Sequence, residues 1–143
     1  MIQRKNGAHK IAYFAKKAST AIPLGAIVSI DSNGYLIPAT ASSTNHIGVC
    51  MEVIATTDAD YTSTRKVMVD ICNSSTDQFE AEVSAGTVAQ TAVGAYYNLN
   101  STGDKVDLSA TAVKAVFVVE INTAKSTVII QISSLASVDE TGA

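Results

Sequence analysis

One phrase is written twice in this chain, and a duplicated β unit restricts the available folds more than any other feature. Gly25-Ala26-Ile27-Val28-Ser29-Ile30-Asp31-Ser32-Asn33-Gly34-Tyr35-Leu36-Ile37 returns as Gly94-Ala95-Tyr96-Tyr97-Asn98-Leu99-Asn100-Ser101-Thr102-Gly103-Asp104-Lys105-Val106. Gly25 aligns with Gly94, Ala26 with Ala95, Ser32 with Ser101 and Gly34 with Gly103. Each copy reads as a glycine start, a half-apolar strand, a Ser-x-Gly turn and a returning strand. A glycine at such a turn supplies the positive φ that a tight hairpin needs. Each copy is followed by an apolar run carrying a glutamate, 47–54 and 116–121, and then by an alternating strand, 66–71 and 127–132.

The side chains suit that reading. Hydrophobic residues make up 47% of the chain but aromatics only 6%, with no Trp, so the apolar fraction is mostly Ala, Val and Ile. β-Branched side chains pack well on a pleated surface. About ten short strands separated by turn signals predict an all-β fold, a compact β-barrel or sandwich built from two similar β modules. The 143 residues fit one such domain. Its bounds read as 21–135, with half-repeats at about 22–72 and 91–133 and a flexible tail at 136–143. Helical periodicity is convincing nowhere, although 106–115 has room for one turn. No apolar run approaches the roughly 18 residues that span a bilayer. The N-terminus lacks the apolar stretch and cleavage site of a secretory signal.

Charge is unevenly placed. Arg4, Lys5, Lys10, Lys16 and Lys17 are five of the ten basic residues, and no acid stands among the first 17 positions. The remainder holds the other five bases against thirteen acids. Residues 1–20 therefore read as an extended basic N-terminal arm on an acidic body, suited to docking on an acidic surface. Within it Ile11, Ala12, Tyr13 and Phe14 form an apolar patch between lysines. That patch is either a strand added to a neighbouring sheet edge or the first strand of the protein's own barrel.

Reactive constellations are sparse. His9 and His46 have no Cys, Asp or His at ligand spacing, so no metal site is expected. Glu80 and Glu82 share a strand face about 7 Å apart, which a solvated outer face explains more simply than glycosidase chemistry. Asp58 and Asp60 lack the glycine and terminal glutamate of a calcium loop. Cys50 and Cys72 match no zinc or redox spacing and read as small buried thiols, with a disulfide between them as the alternative. Neither a phosphate-binding glycine loop nor a nucleophile elbow is present, and an acidic body disfavours nucleic acid. The expectation is a protein that is not an enzyme and has no cofactor, small-molecule substrate, nucleic-acid or membrane partner.

Pro23-Leu24-Gly25-Ala26-Ile27-Val28 with Gly34, Pro38-Ala39-Thr40 and Ile47-Gly48-Val49 resembles the small head decoration, or capsid cement, proteins of tailed bacteriophages. Val93-Gly94-Ala95-Tyr96-Tyr97 followed by 116–119 and 128–132 is similar to their second half, and the likeness covers roughly residues 22–133. The second half departs in one respect, because Phe117 stands where the glycine of an Ile-Gly-Val triplet is expected. The resemblance implies a compact β-barrel made in the host cytoplasm and bound to the outer capsid surface of the virion. It further implies a homotrimer that contacts the major capsid protein and stabilises the shell against internal DNA pressure. On that reading Arg4, Lys5, Lys10, Ile11, Tyr13, Phe14, Lys16 and Lys17 face the capsid. Two other classes stay open: a virion fibre or surface module binding host glycans through Tyr35, Tyr61, Tyr96 and Tyr97, and a small β-barrel enzyme or ligand carrier.

Overall fold

The computed structural model describes residues 1–133 apart from 44, 73 and 75; the tail expected at 136–143 lies outside the described residues. Among the described residues there are eleven strands. They are β1 (Ile2–Asn6), β2 (Ile11–Ala15), β3 (Ile27–Ile30), β4 (Leu36–Pro38), β5 (His46–Cys50), β6 (Lys66–Ile71), β7 (Gln78–Ala85), β8 (Tyr96–Leu99), β9 (Val106–Asp107), β10 (Val116–Asn122) and β11 (Thr127–Ile132). The helical segment found there is a single 3-10 turn at Gln90–Ala92, not within 106–115. The fold is all-β, as the alternating pattern requires.

The repeat in the sequence is a repeat in topology. Strands β7, β11, β10, β8 and β9 lie side by side, and β9 returns to pair in parallel with β7, closing a five-stranded barrel. Strands β2, β6, β5, β3 and β4 follow the same order, and their ends meet at one parallel bridge, Lys16↔Leu36. That bridge answers to Val83↔Val106 in the second half.

Registers agree as well. Ala15 pairs with Lys66 one residue before the bridge, as Glu82 pairs with Thr127. Gly25 N–H donates to the Cys50 carbonyl (3.0 Å) and Cys50 N–H to that of Ala26 (2.8 Å). Gly94, Val118 and Ala95 repeat this pattern at 2.8 and 3.0 Å. Gly48 faces Ile71 as Val116 faces Ile132. The position equivalent to Gly48 is therefore Val116, not Phe117.

Each half encloses its own apolar cluster. Ile22, Ala26, Val28, Leu36, Cys50, Ile54, Val67 and Val69 fill the first, with Phe14 packed against them. The second cluster includes Phe79, Leu99, Val106, Val118, Val128 and Ile130. In the matched ladders Phe14 corresponds to Ala81, and Ala12 to Phe79. Residues two apart in a strand share a face, so each half holds one phenyl ring at a different level.

Ile27, Ala39, Val49 and Cys72 belong to the first half yet pack with the second cluster. Strands β3 and β5 are thus apolar on both faces, one side lining their own interior and the other the seam between halves. Each fully buried aliphatic side chain there contributes about 1.5–3 kcal/mol.

The basic leader takes a different form from the expected extended arm. β1 lies antiparallel on β7, from Ile2↔Ala81 to Asn6↔Gln78, and Ile2 N–H donates to the Gly25 carbonyl (2.9 Å). β2 is the first strand of the first half, the second of the two readings of its apolar patch. The repeating units accordingly begin at β2 and β7, earlier than positions 22 and 91.

Gly34 and Gly103 occupy the same turn in the two halves, at φ 87° and 76°. A Cβ on Gly34 meets nothing within 4 Å, whereas one on Gly103 would lie 2.7 Å from the Ala39 oxygen and 3.0 Å from that of Ile27. The Gly103 carbonyl also accepts from Ile27 N–H (2.8 Å), so this turn is part of the seam. Gly34→Ala is expected to cost about 1–2 kcal/mol from backbone conformation alone. Gly103→Ala should cost about 1–3 kcal/mol more through overpacking. Urea denaturation of both variants checks this, and equal losses would refute a close-packed seam at Gly103.

Candidate interaction surface

The pairing of β2 decides which basic and apolar side chains can meet a partner. Ile71 N–H donates to the Lys10 carbonyl (2.8 Å) and Lys16 N–H to that of Arg65 (3.0 Å). Even-numbered residues of β2 therefore turn their main-chain groups toward β6, and Ile11 and Tyr13 turn theirs to the opposite edge. Side chains alternate in the perpendicular direction. Ala12 and Phe14 are half-buried and Lys16 is buried, while Ile11 is 43% and Tyr13 55% exposed. Lys10 and Lys17 are exposed at the two ends of the strand, and Lys5 is exposed on β1.

Three of the eight residues expected to face a partner are engaged in contacts within the chain instead. Phe14 packs on the first apolar cluster. Lys16 is 0% exposed, and its Nζ donates to the carbonyls of Tyr61 (3.0 Å) and Ser63 (2.6 Å). Its counterpart in the second half is Val83, so the matched bridge carries an ammonium on carbonyls in one half and an isopropyl group in the other.

Arg4 is the third. Its Nε and Nη2 donate to the Asp70 carboxylate (2.9–3.2 Å), Nη2 also to the Ile71 carbonyl (2.9 Å), and Nη1 lies 3.1 Å from Asp77 Oδ2. The guanidinium carbon sits 4.9 Å from the centre of the Phe79 ring. The Arg4 and Asp70 side chains are each 2% exposed.

Asp70 also accepts from the Lys10 N–H (3.2 Å) and lies 2.7 Å from His9 Nδ1. An ionised carboxylate only accepts, so that nitrogen carries the proton. Burial alone would raise the Asp70 carboxyl; hydrogen bonds from Arg4, His9 and Lys10 reverse this and hold it below its ordinary value. Hydrogen bonding to Asp70 in turn raises Arg4 above its usual value, against its own desolvation. Charge in the leader is thus spent partly on internal pairing. Sequence spacing holds no signal for it, because Asp70 is 66 residues away.

Beside this cluster lies a cleft of about 250 Å³, with Val49, Gly25 and Cys50 among its lining and Arg4, His9 and Asp70 contributing polar groups. Met1, Leu24 and Met51 also line it and are 41%, 44% and 39% exposed. Cys50 and Cys72 are buried free thiols. Burial pushes both thiols up, that of Cys72 to about 11, which keeps them protonated and unreactive.

The other sequence candidates are dispersed. Asp60 pairs with Arg65, and Asp58 accepts from Ala55 N–H (2.9 Å). Glu80 accepts from Thr127 Oγ1 (2.9 Å), and Glu82 from the Met1 ammonium (3.0 Å). Tyr61 packs on the first cluster and Tyr97 on the second, Tyr35 is half-buried, and Tyr96 is exposed with its ring 5.0 Å from Phe117. No group of three or more His, Cys, Asp or Glu able to hold a metal occurs among the described residues. Compared with known proteins, the chain matches no family model and no curated protein.

Replacing Arg4 with alanine would take from the buried Asp77 its ion-pair partner and leave Asp70 with His9 and the Lys10 amide alone, and breaking a buried pair in this way costs about 3–5 kcal/mol. Chemical denaturation should show a loss of that size, whereas a loss typical of surface ion pairs would refute the staple.

His46 generates a pH dependence. It is 0% exposed, neither ring nitrogen has a partner among the described residues, and desolvation lowers it to about 4. Its folded value lies below its unfolded value, so acidification favours the unfolded chain. Stability should be unaffected by this group above pH about 6.5 and fall by about 3 kcal/mol as pH drops to about 4. The decrease in that window should be absent from His46→Leu; an unchanged profile in that variant would be inconsistent with the assignment.

Proposed function

We propose that this protein is a structural component of a tailed-bacteriophage virion, bound to the outside of the head and stabilising it against internal DNA pressure. The observation that supports this most directly is the outer side of β2. Ile11 and Tyr13 stand exposed between Lys10 and Lys17 on a chain whose remaining residues are predominantly acidic. A preformed apolar strip with a cationic rim suits docking on an acidic protein surface. A closed barrel packed with a second five-stranded sheet, with little aromatic content, provides the body that carries such a strip.

A clamp of this kind works by area. Packaged DNA pushes the subunits of the shell apart, and burying surface of the major capsid protein at the seams resists that separation. Lys5, Lys10, Ile11, Tyr13 and Lys17 are the contacting residues in this proposal; Arg4, Phe14 and Lys16 support them from within. Association into trimers on the shell belongs to the same reading. The mean hydropathy of +0.22 and the exposed Met1, Leu24 and Met51 around the cleft supply apolar surface for it.

Deleting residues 1–18 would remove β2, a wall strand of the first half, and β1, which is bonded to β7 of the second, so surface substitutions make the better test. Undecorated expanded heads, assembled from the major capsid protein encoded in the same genome, should sediment with the purified chain. They should then retain DNA to a higher temperature. The Lys10→Glu, Tyr13→Ala double variant should bind about tenfold or more weakly while melting as the parent does. A parent chain that stays in the supernatant would exclude the proposal.

A further inference from the structure

The two halves differ at one edge. On β7 the side away from β11 is paired along its length: β1 takes the first part, Ile2↔Ala81 to Asn6↔Gln78, and β9 the second, from Val83↔Val106. On β2 the corresponding side has only the Lys16↔Leu36 bridge, the counterpart of Val83↔Val106. The place that β1 fills on β7 holds no strand on β2 among the described residues. The matched ladders make the correspondence specific. Tyr13 stands where Glu80 pairs with Gln3, and Phe14 where Ala81 pairs with Ile2.

We infer that the Ile11–Tyr13 edge of β2 is a receptor for an added antiparallel strand, and that its occupant is an acidic, alternating segment of the shell protein. An edge with unpaired N–H and C=O groups is a template for strand addition, and the fold already makes this addition once, at β7. Charge selects the occupant. Lys10 and Lys17 are exposed at the ends of the strip, and Lys66, exposed on β6, stands opposite Ala15. Asp70, the acid on this ladder, is already bonded to Arg4 and His9.

The same lysines disfavour a second copy of this chain. Antiparallel pairing of two β2 edges about Tyr13 would bring Lys17 of each copy beside Lys10 of the other, both exposed, and like charges across a ladder destabilise it. In the occupant, residues beside Ala12 and Phe14 face the apolar side and those beside Ile11 and Tyr13 face Lys17 and Lys66. An alternation of apolar and acidic residues therefore fits. This inference rests on the proposed function only for which protein supplies the strand.

The test uses the full chain and two blocked hexapeptides, one alternating glutamate and valine and the other lysine and valine. Amide hydrogen exchange at Ile11 and Tyr13 is read by NMR. Saturating acidic peptide should slow both amides by about tenfold or more, and the lysine peptide should not. Tyr13→Pro removes an outward-facing N–H without touching a β2–β6 bond, and should abolish binding. The exposed pair Lys10→Glu, Lys17→Glu keeps every N–H and should weaken the acidic peptide about tenfold or more.

Unchanged exchange with the acidic peptide, or equal protection by both peptides, would overturn the inference. So would protection that grows with protein concentration alone, which assigns the edge to a second copy. Heads that bind parent and Tyr13→Pro alike would remove this inference and leave head binding standing. A chain that takes the acidic peptide yet ignores heads would keep the receptor edge and remove the shell as its source.

Discussion

A single guanidinium, that of Arg4, ties three otherwise separate pieces of chain. It enters on β1, which is hydrogen-bonded to the second half, and it closes on Asp70 of β6 in the first half and on Asp77 just ahead of β7. Ion pairs taken out of water are stable only when their remaining donors and acceptors are also met. That condition is approached here, since Asp70 receives Arg4, the Lys10 amide and His9 together. The consequence is geometric. Once Arg4 is in place, β1 cannot leave β7 without taking from Asp77 its ion-pair partner and leaving Asp70 with His9 and the Lys10 amide alone, and the first ten residues become part of the body.

The duplicated architecture makes the differences between copies informative. Both halves use the same strand order and register, so a residue that differs at a matched position reflects local demand rather than fold. Lys16 against Val83 changes what the matched bridge carries. Gly34 against Gly103 changes nothing in the turn but separates a solvent-facing loop from one pressed against Ala39 and Ile27. β1 lies on only one copy; on the other, the matching side of β2 carries the Lys16↔Leu36 bridge and no strand among the described residues.

Interior polarity follows the same economy. Cys50 ends β5 and Cys72 directly follows β6; both are buried, and their thiols are suppressed by desolvation rather than activated by a neighbouring cation. His46 is enclosed opposite Ser29 with no partner for either side chain among the described residues. The imidazole is held neutral by its surroundings, which links the stability of the first half to mildly acidic pH.

Much of the fold was legible because its signals are local. Period-two alternation placed β6, β7 and β11, glycines at 34 and 103 marked the hairpins, and the doubled phrase announced two copies of one unit. On the candidate surface, the sequence reading set Ile11, Tyr13 and Phe14 all toward a partner, and only the pairing of β2 turns Phe14 onto the first cluster while Ile11 and Tyr13 stay exposed. Charge misled where the partner was distant. Nothing in the order of the first 17 residues says that Arg4 will meet an acid 66 positions away or that Lys16 will end beneath the surface on two carbonyls. A side chain's period is set by its own strand, whereas its pairing is set by which strands are brought alongside, and only the closed sheet decides that.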